Sequence, residues 1–290
     1  MRILTPQDWT DYELIDSGNG DKLERFGAYT LWRPEPQAVW SRSMSEKRWK
    51  ELAHARFVQE GSHSGKWERF KKIEDQWFVN YRHKGMKLRF RLGLTGFKHV
   101  GLFPEQAVNW NFLYEHLSQM QQPQVLNLFA YTGGASLAAR AAGANVVHCD
   151  SIKNVLNWAN ANMQASGLKD IRWLLEDAFK FTRREAKRGR VYQGIILDPP
   201  AYGHGPKGEK WKLEDMVNDL TEAVCQILDP RRHVLIFNAY SLGFSPMILE
   251  NLLITHLGAK AMRTSEKGEL YLQERSGRKL PAGIFVRNKK

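Results

Sequence analysis

The residues with the clearest chemical potential lie in segment 198–202, directly after a short apolar run. The segment contains Asp198, Pro199, Pro200 and Tyr202. Two consecutive prolines end a strand, restrict φ and leave the carbonyl groups of Asp198 and Pro199 without a regular backbone partner. Such carbonyls can accept hydrogen bonds from an amine and thereby help to localise its lone pair for nucleophilic attack, while the tyrosine can stack on a planar ring. The alternative is a turn that only ends a strand.

A small-residue segment at 127–136 is the second candidate, because Thr132, Gly133 and Gly134 stand between an apolar run and an Ala-rich stretch. A strand that leads through such a turn into a helix lets backbone N–H groups approach a ligand closely, since glycine has no Cβ. The dinucleotide-binding spacing G-x-G-x-x-G is absent. A helix start in which the glycines serve only packing is the alternative.

Two acidic residues follow the next two apolar runs along the chain. Asp150 can accept hydrogen bonds from both hydroxyls of a ribose, and Asp177 can accept one from an adenine amino group. Each can instead be a helix N-cap, and Ser151 can share that role with Asp150. The combination is more specific than its members, because ligands of open α/β sheets bind at the carboxyl ends of successive strands. These positions together predict a nucleoside-binding site.

The elements that must position these residues alternate from about residue 125 onward. Short apolar runs and longer amphipathic stretches succeed one another, which is typical of a mostly parallel sheet covered by helices. We expect strands at 125–129, 146–149, 171–175, 194–197 and 234–237, and closing strands at 269–272 and 284–286. Ser245 and Pro246 are expected to begin a helix as its N-cap and first residue.

The N-terminal part of the chain has a different pattern, rich in Trp and interrupted by Gly and Pro. Strict alternation at 86–92 predicts a half-buried strand that pairs with 77–81 as a hairpin. The same alternation places Lys87, Arg89 and Arg91 on one face, where they can bind phosphates or simply be solvated. We therefore expect a small, basic, β-rich domain over residues 1–100 and a second domain over residues 101–290.

Composition limits the class of partner. The chain has 43 Lys and Arg against 31 Asp and Glu, a formal charge of +12, which favours nucleic acid first and acidic surfaces second. The two cysteines, Cys149 and Cys225, exclude a disulfide framework and a Cys-rich zinc site, and no metal is expected. Because no apolar run approaches the roughly 18 residues of a bilayer helix and the start lacks an export signal, we expect a cytosolic protein without a membrane partner.

Taken together, segments 127–134 and 198–202 with Asp150 and Asp177 resemble class I S-adenosylmethionine-dependent methyltransferases. The resemblance is strongest to the large-subunit rRNA methyltransferase group, including its uncharacterised cytosolic branch, whose members carry similar F-x-Y-T-G-G and D-P-P-x-aromatic motifs. Segment 101–106 also resembles that group's G-x-F-x-D-Q segment. The match covers about residues 97–290 and implies an α/β, Rossmann-like, seven-stranded and mostly parallel sheet after a small β-rich domain.

The resemblance implies S-adenosyl-L-methionine as the cofactor, with 129–133 at its methionine and sulfonium end, Asp150 at the ribose, and Asp177 with Ala178 at the adenine. The cofactor-binding residues that it implies are Phe103, Gln106, Asn127, Phe129, Ala130, Tyr131, Thr132, Gly133, Asp150, Ser151, Asp177, Ala178, Phe179 and Asp198. The catalytic residues that it implies are Asp198, Pro199, Pro200 and Tyr202.

One departure from this group bears on the reaction. Cytosine C5 methylation in the group uses a Cys thiolate that attacks the ring, whereas Ala239 stands about where that thiol would be. Neither Cys149 nor Cys225 is expected to reach a target base. We therefore expect methyl transfer to nitrogen, with Asp198 and the Pro199 carbonyl as positioning acceptors.

Segment 203–212 combines glycines with His204, Trp211 and three lysines. We expect a flexible loop that closes over the substrate, with a solvated surface loop as the alternative. The expected acceptor is RNA, as ribosomal RNA or a ribosomal particle. The residues expected to bind it are Lys87, Arg89, Arg91, His204, Lys207 and Lys210, with base stacking by Trp67, Trp77 and Tyr81 if these are exposed. A small-molecule or protein substrate, or a non-catalytic RNA-binding or assembly protein that keeps the cofactor fold, are the alternatives, and the oligomeric state is open.

Overall fold

The computed structural model describes residues 1–61, 64–240 and 243–290, which form two compact units. We call the first the α/β unit; it comprises Met1–Leu4, Gln106–Leu270 and Ala282–Lys290. The second, the β unit, comprises Thr5–Glu105 and Tyr271–Pro281. The units are therefore interleaved along the chain, in contrast to the linear division at residue 100 that the sequence suggested.

The elements are numbered in chain order. The strands are β1 (Arg2–Leu4), β2 (Tyr12–Gly18), β3 (Asp21–Phe26), β4 (Tyr29–Pro34), β5 (Ala55–Gln59), β6 (Gly65–Arg69), β7 (Gln76–His83), β8 (Met86–Gly93), β9 (Gln124–Leu128), β10 (Asn145–Asp150), β11 (Ile171–Leu175), β12 (Gly194–Leu197), β13 (Tyr202–His204), β14 (Lys210–Lys212), β15 (Val234–Ala239), β16 (Glu266–Gln273) and β17 (Lys279–Lys289). The α-helices are α1 (Glu46–Leu52), α2 (Ala107–Leu117), α3 (Gly134–Ala141), α4 (Lys153–Ala165), α5 (Ala178–Lys187), α6 (Leu213–Ile227) and α7 (Pro246–Leu257). Two 3₁₀ turns span Pro104–Gln106 and Ala261–Thr264.

The main sheet has eight strands in the order β1-β16-β17-β15-β12-β9-β10-β11. The five central strands, β15, β12, β9, β10 and β11, form four parallel pairings. Strand β17 is antiparallel to β15. The predicted fold class is confirmed, and one strand was missed. Arg2–Leu4 pairs in parallel with β16, and three residues are too few to show a periodicity in the sequence.

The centre of this sheet is buried on both faces, which is why its strands have nearly continuous apolar sequences. Leu128, Leu197 and Phe237 are completely buried at the carboxyl ends of β9, β12 and β15. Helix α7 begins as expected, with the Ser245 hydroxyl accepting a hydrogen bond from Met247 N and Pro246 in the first turn. The parallel strands consequently end side by side at one rigid edge.

The β unit contains a five-stranded sheet, β2 to β6, and the hairpin β7–β8. The C-terminal segment Tyr271–Pro281 belongs to it because its charged residues bind strand β2. Arg278 Nη2 donates to Asp16 Oδ1 over 2.8 Å, and Arg275 donates to the Glu13 carboxylate. Such long-range polar contacts have no local signature, so the sequence did not assign this segment to the unit. Among the described residues, no helix is long and apolar enough to cross a membrane.

Candidate active site

The loop between β9 and α3 has an uncommon backbone. Phe129 and Tyr131 have φ of 55° and 49°, and Gly133 has φ of 94°. A left-handed conformation costs about 1 to 2 kcal/mol for a residue with a Cβ, so the surrounding structure must hold it. Backbone hydrogen bonds hold this conformation: the N–H groups of Ala130, Tyr131 and Gly133 donate to the Cys149 carbonyl, the Asp150 carboxylate and the Ala130 carbonyl. The loop is thus fixed against the end of β10.

The two glycines of this loop have different roles. Gly133 needs its positive φ, whereas Gly134 lies against the indole of Trp110, where an added Cβ would come within 2.5 Å of the ring. Gly134 therefore serves the packing of α3 on α2, which was the alternative explanation from sequence. A Cβ at Gly133 would lie 3.3 Å from that of Ala159, so this glycine serves both the backbone conformation and the close approach of α4.

A buried polar chain supports the loop from the sheet side. Asn127 Nδ2 donates to Ser136 Oγ over 2.9 Å, and that hydroxyl lies 2.9 Å from His148 Nδ1. Asn162 Nδ2 donates to the Thr132 carbonyl over 2.9 Å. Burial lowers the pKa of His148 to about 3, so its imidazole is neutral. Asn127 is 2% exposed and lies below the loop, and Ser136, His148 and Asn162 were not identified from sequence.

Asp150 lies against the same loop at the end of β10. Its Oδ2 accepts a hydrogen bond from Tyr131 N over 2.9 Å, and its Oδ1 accepts one from Ile152 N over 3.0 Å. Burial raises the pKa of the Asp150 carboxyl above its usual value, and the backbone donors oppose this shift. Because each carboxylate oxygen can accept two hydrogen bonds, both keep capacity for a hydroxyl.

Asp177, at the end of β11, is the N-cap of α5. Its Oδ1 accepts a hydrogen bond from Lys180 N over 2.8 Å. For that oxygen, the N-cap role that the sequence offered as the alternative is confirmed. Of the neighbouring residues predicted for the same ligand, Ala178 is buried and Phe179 half-buried against the core. Ser151, next to Asp150, is half-buried. The second oxygen of Asp177 accepts no hydrogen bond from the residues that the structure describes.

The turn after β12 carries Asp198, whose carboxylate Oδ2 lies 3.5 Å from Gln106 Nε2. Burial raises the pKa of the Asp198 carboxyl to about 7. The Pro200 carbonyl accepts a hydrogen bond from Trp211 Nε1 over 2.7 Å. Within residues 1–61, 64–240 and 243–290 the Pro199 carbonyl accepts none, so this acceptor is available, as the sequence predicted.

The structure has a hairpin where the sequence predicted a loop at 203–212, and closure of this segment over the substrate stays a prediction. Strands β13 and β14 form an antiparallel hairpin in which Tyr202 faces Lys212 and His204 faces Lys210. The hairpin is ordered because Trp211 is buried beneath it, with its ring centroid 5.1 Å from that of Phe129. Tyr202 is 67% exposed, and the residues on its side of the hairpin and at its tip, His204, Lys210 and Lys207, are exposed as well.

Neither thiol is suited to nucleophilic attack. Cys149 is fully buried, and burial together with nearby carboxylates raises the pKa of its thiol well above the usual range. Burial also raises the pKa of Cys225 to about 12. Thiolate is the reactive form, so both residues are inert at neutral pH. Among the described residues, no group of His, Cys, Asp and Glu could hold a metal ion.

The remaining predicted residues lie in the β unit. Phe103 is half-buried, with its ring centroid 5.2 Å from that of His99. Lys87 and Arg89 are exposed and Arg91 is half-buried on the outer face of hairpin β7–β8, while the opposite face is buried, as the alternation predicted. We call this outer face the basic face. It consists of Gln76, Phe78, Asn80, Arg82, Lys87, Arg89 and Arg91.

Two of the predicted stacking residues are not available on this face. Trp77 and Tyr81 are 6% and 2% exposed, because they occupy the buried side of the alternation, and Trp67 is half-buried. The exposed aromatic residue is Phe78, with the Arg89 guanidinium 4.5 Å above its ring. The same alternation in the sequence would have identified Phe78.

Comparison with known proteins gives three relevant similarities beside a family model. The model, described as S-adenosylmethionine-dependent methyltransferase, matches residues 53–247. The crystal structure of the SAM-dependent methyltransferase from Agrobacterium tumefaciens is 37% identical, with a TM-score of 0.89, over 100% of this chain and 93% of that one. A methyltransferase structure complexed with SAH is 15% identical, with a TM-score of 0.73, over 98% and 76% of the two chains, and shows the fold alone.

A curated relative, ribosomal RNA large subunit methyltransferase K/L from Shewanella frigidimarina, is 27% identical over 154 residues. The aligned region is 52% of this chain but only 21% of the relative. The chain thus spans about a fifth of the length of that relative.

Proposed function

The chain belongs to the family of S-adenosylmethionine-dependent methyltransferases, and we propose that it transfers a methyl group to a base nitrogen of RNA, with large-subunit ribosomal RNA as the substrate. The observation that carries the nitrogen assignment is the combination of an available Pro199 carbonyl and a neighbouring Asp198 with two inert thiols. Such a substrate would place the protein in the cytoplasm.

The residues at the strand ends fit the cofactor. The left-handed backbone at Phe129 and Tyr131 fixes the loop beside Asp150, because the Tyr131 N–H donates to that carboxylate. Asp150 retains acceptor capacity for ribose hydroxyls, and Asp177 keeps one carboxylate oxygen for an amino group. When bound, S-adenosyl-L-methionine supplies an electrophilic methyl group on a sulfonium.

The chain's own residues then act on the nucleophile. An exocyclic amine is a poor nucleophile because its lone pair is delocalised into the base. Acceptance of its two N–H groups by the Pro199 carbonyl and the Asp198 carboxylate localises that pair and orients it, which is catalysis by proximity and alignment. Tyr202 is exposed beside these acceptors and can stack on the base. Asp198, with a pKa of about 7, can also receive the proton after transfer.

RNA is favoured as the substrate by charge and by similarity. The net charge of +12 favours a polyanion, and the basic face combines cations with the exposed ring of Phe78. The name of the Shewanella relative adds ribosomal RNA as the specific class. We infer that the substrate is ribosomal RNA, either free or within a ribosomal particle.

The test uses unmodified large-subunit rRNA, a large ribosomal subunit from a strain that lacks the protein, and a metabolite and protein panel, each with labelled S-adenosylmethionine. We expect label in RNA and, by mass spectrometry of nucleosides, a methyl group on a base nitrogen. Label on pyrimidine C5 would overturn the nitrogen assignment. Label only in a small molecule or a protein would overturn the RNA assignment.

A further inference from the structure

A second buried polar chain leads from the last strand to Asp198. Arg287 on β17 is 5% exposed, and its Nε donates to Asn109 Oδ1 over 2.7 Å. Asn109 Nδ2 donates to Gln106 Oε1 over 2.7 Å and to Asn238 Oδ1 over 2.9 Å. Asn238 Nδ2 also donates to Gln106 Oε1, over 3.2 Å. Gln106 is the member next to Asp198.

The direction of every hydrogen bond in this chain is dictated by Arg287. A guanidinium has donors only, so Asn109 must turn its carbonyl oxygen toward it and its amide nitrogen away. That nitrogen requires an acceptor, which makes the Gln106 oxygen face Asn109. The Gln106 nitrogen, 3.5 Å from Asp198 Oδ2, is therefore left toward the carboxylate.

Arg287 is a buried cation in surroundings that favour an apolar residue, which indicates that it has a role besides packing. Its guanidinium lies 4.9 Å from the ring centre of Phe112 and 4.7 Å from that of Phe285. Within the part of the chain that the structure describes, it forms no ion pair, and its Nη2 is buried without a hydrogen-bond partner. Burial lowers the pKa of Arg287 to about 10, so it is still a cation at neutral pH. A buried cation without a carboxylate is expensive, and an apolar residue would pack there more favourably.

We propose that Arg287, Asn109 and Asn238 are positioning residues that hold the Gln106 amide with its N–H toward Asp198. This N–H donates to Asp198 Oδ2 and favours the ionised carboxylate, which only accepts hydrogen bonds. Asp198 Oδ1 is then left to accept from the N–H of the target amine. The inference rests on the proposed function, because it assigns Asp198 the role of binding that amine.

The decisive variant is Asn109→Asp, which has nearly the same shape. It offers Arg287 a carboxylate, so a purely structural chain would be kept or stabilised. It also removes both amide donations, so Gln106 must turn its nitrogen toward residue 109 and its oxygen toward Asp198. We expect kcat on the RNA that the wild type methylates to fall about tenfold or more through misorientation. The Kd for S-adenosylhomocysteine should stay the same as in the wild type, and the melting temperature should not fall.

The matched control is Asn157→Asp, the same change at an exposed position on α4, which should leave kcat unchanged. If Asn109→Asp does not fold, Asn238→Asp takes its place, since it removes only the donation to Gln106 and should lower kcat by a smaller factor. An unchanged kcat in a folded variant would overturn the positioning role.

A measurement without substrate separates this inference from the proposed function. The side-chain amide signals of Gln106 in a ¹⁵N spectrum, assigned by their loss in Gln106→Glu, should shift and exchange faster with water in Asn109→Asp. If the wild type methylates no RNA, the proposed function fails. The Gln106 signals then still test whether Asn109 sets the orientation of the Gln106 amide. Unchanged Gln106 signals would overturn the inference whatever the substrate.

Discussion

The backbone N–H of Tyr131 donates to the carboxylate of Asp150 over 2.9 Å, which joins the left-handed β9–α3 loop to the end of β10. A residue that holds φ of 49° needs such a restraint, because the conformation is unfavourable by itself. The same carboxylate is thus both a brace for the loop and a candidate ligand for a ribose. This hydrogen bond brings the ends of β9 and β10 together in one candidate site.

Replacement of Asp150 should weaken cofactor binding. We expect Asp150→Ala to bind S-adenosylhomocysteine less tightly by about 1.5 to 3 kcal/mol, the range for hydrogen bonds to charged groups, as measured by calorimetry. The exposed Asp219→Ala on α6 is the control and should bind like the wild type. Equal affinity in the Asp150 variant would refute the ribose assignment.

Removal of both thiols should leave catalysis intact. A Cys149→Ala, Cys225→Ala protein loses some core packing, about 1 kcal/mol of stability, but no reactive group. Its kcat at a temperature well below melting should match the wild type. Complete loss of activity in a folded double variant, or a covalent RNA adduct that the variant cannot form, would reinstate a thiol mechanism.

The activity should depend on the ionisation of Asp198. The ionised Asp198 carboxylate only accepts hydrogen bonds, whereas the protonated carboxyl has lost one acceptor site to an O–H donor. Burial raises the pKa of Asp198 to about 7, so kcat should rise with pH through that value. Asp198→Asn should be slower by about 10² or more, with a flat profile over the same range and unchanged cofactor affinity. A wild-type profile without an inflection near neutral pH would contradict this role.

The same pKa makes a prediction about stability. A carboxyl whose pKa is higher in the folded than in the unfolded protein binds more protons when folded, so its ionisation disfavours folding. The free energy of unfolding should therefore fall as pH rises from the unfolded value, about 4, to above 7. Above that range, Asp198→Asn should unfold at a higher denaturant concentration than the wild type. Equal midpoints there would mean that burial does not penalise this carboxylate.

The basic face should bind phosphates. Replacement of Lys87, Arg89 and Arg91 by Gln should weaken RNA binding across sequences and make the plot of log affinity against log salt shallower by about 2, since each single-strand phosphate contact contributes roughly 0.7. The control carries the same charge change on α1, with Lys47, Arg48 and Lys50 replaced by Gln, because these residues are exposed on another element of the β unit.

Phe78→Ala, on the same face, should cost about 1 to 3 kcal/mol of binding if a base stacks there, without a change in salt slope. If the triple variant and the α1 control have the same slope and affinity, the basic face is only solvated.

The sequence by itself determined the fold class, the positions of the central strands along the chain and, through the family resemblance, the cofactor. The family confirms S-adenosyl-L-methionine and the Rossmann-like sheet. Strands β11 and β12 lie where the sequence placed them. The reason is clearest for β12, which is completely buried, since a strand buried on both faces must be apolar along its length. Local motifs such as 198–202 could also be identified from the sequence, because the residues that define them are neighbours in the chain.

Only the tertiary structure decided which single polar residues meet. Asn109 and Arg287 are 178 positions apart, and neither belongs to a motif or a period. Trp211 orders the hairpin through Phe129 and Pro200, so a segment rich in glycine and lysine is a hairpin rather than a loop. Local propensity describes a residue's neighbours in the chain, whereas burial and hydrogen bonding depend on neighbours that the completed fold supplies.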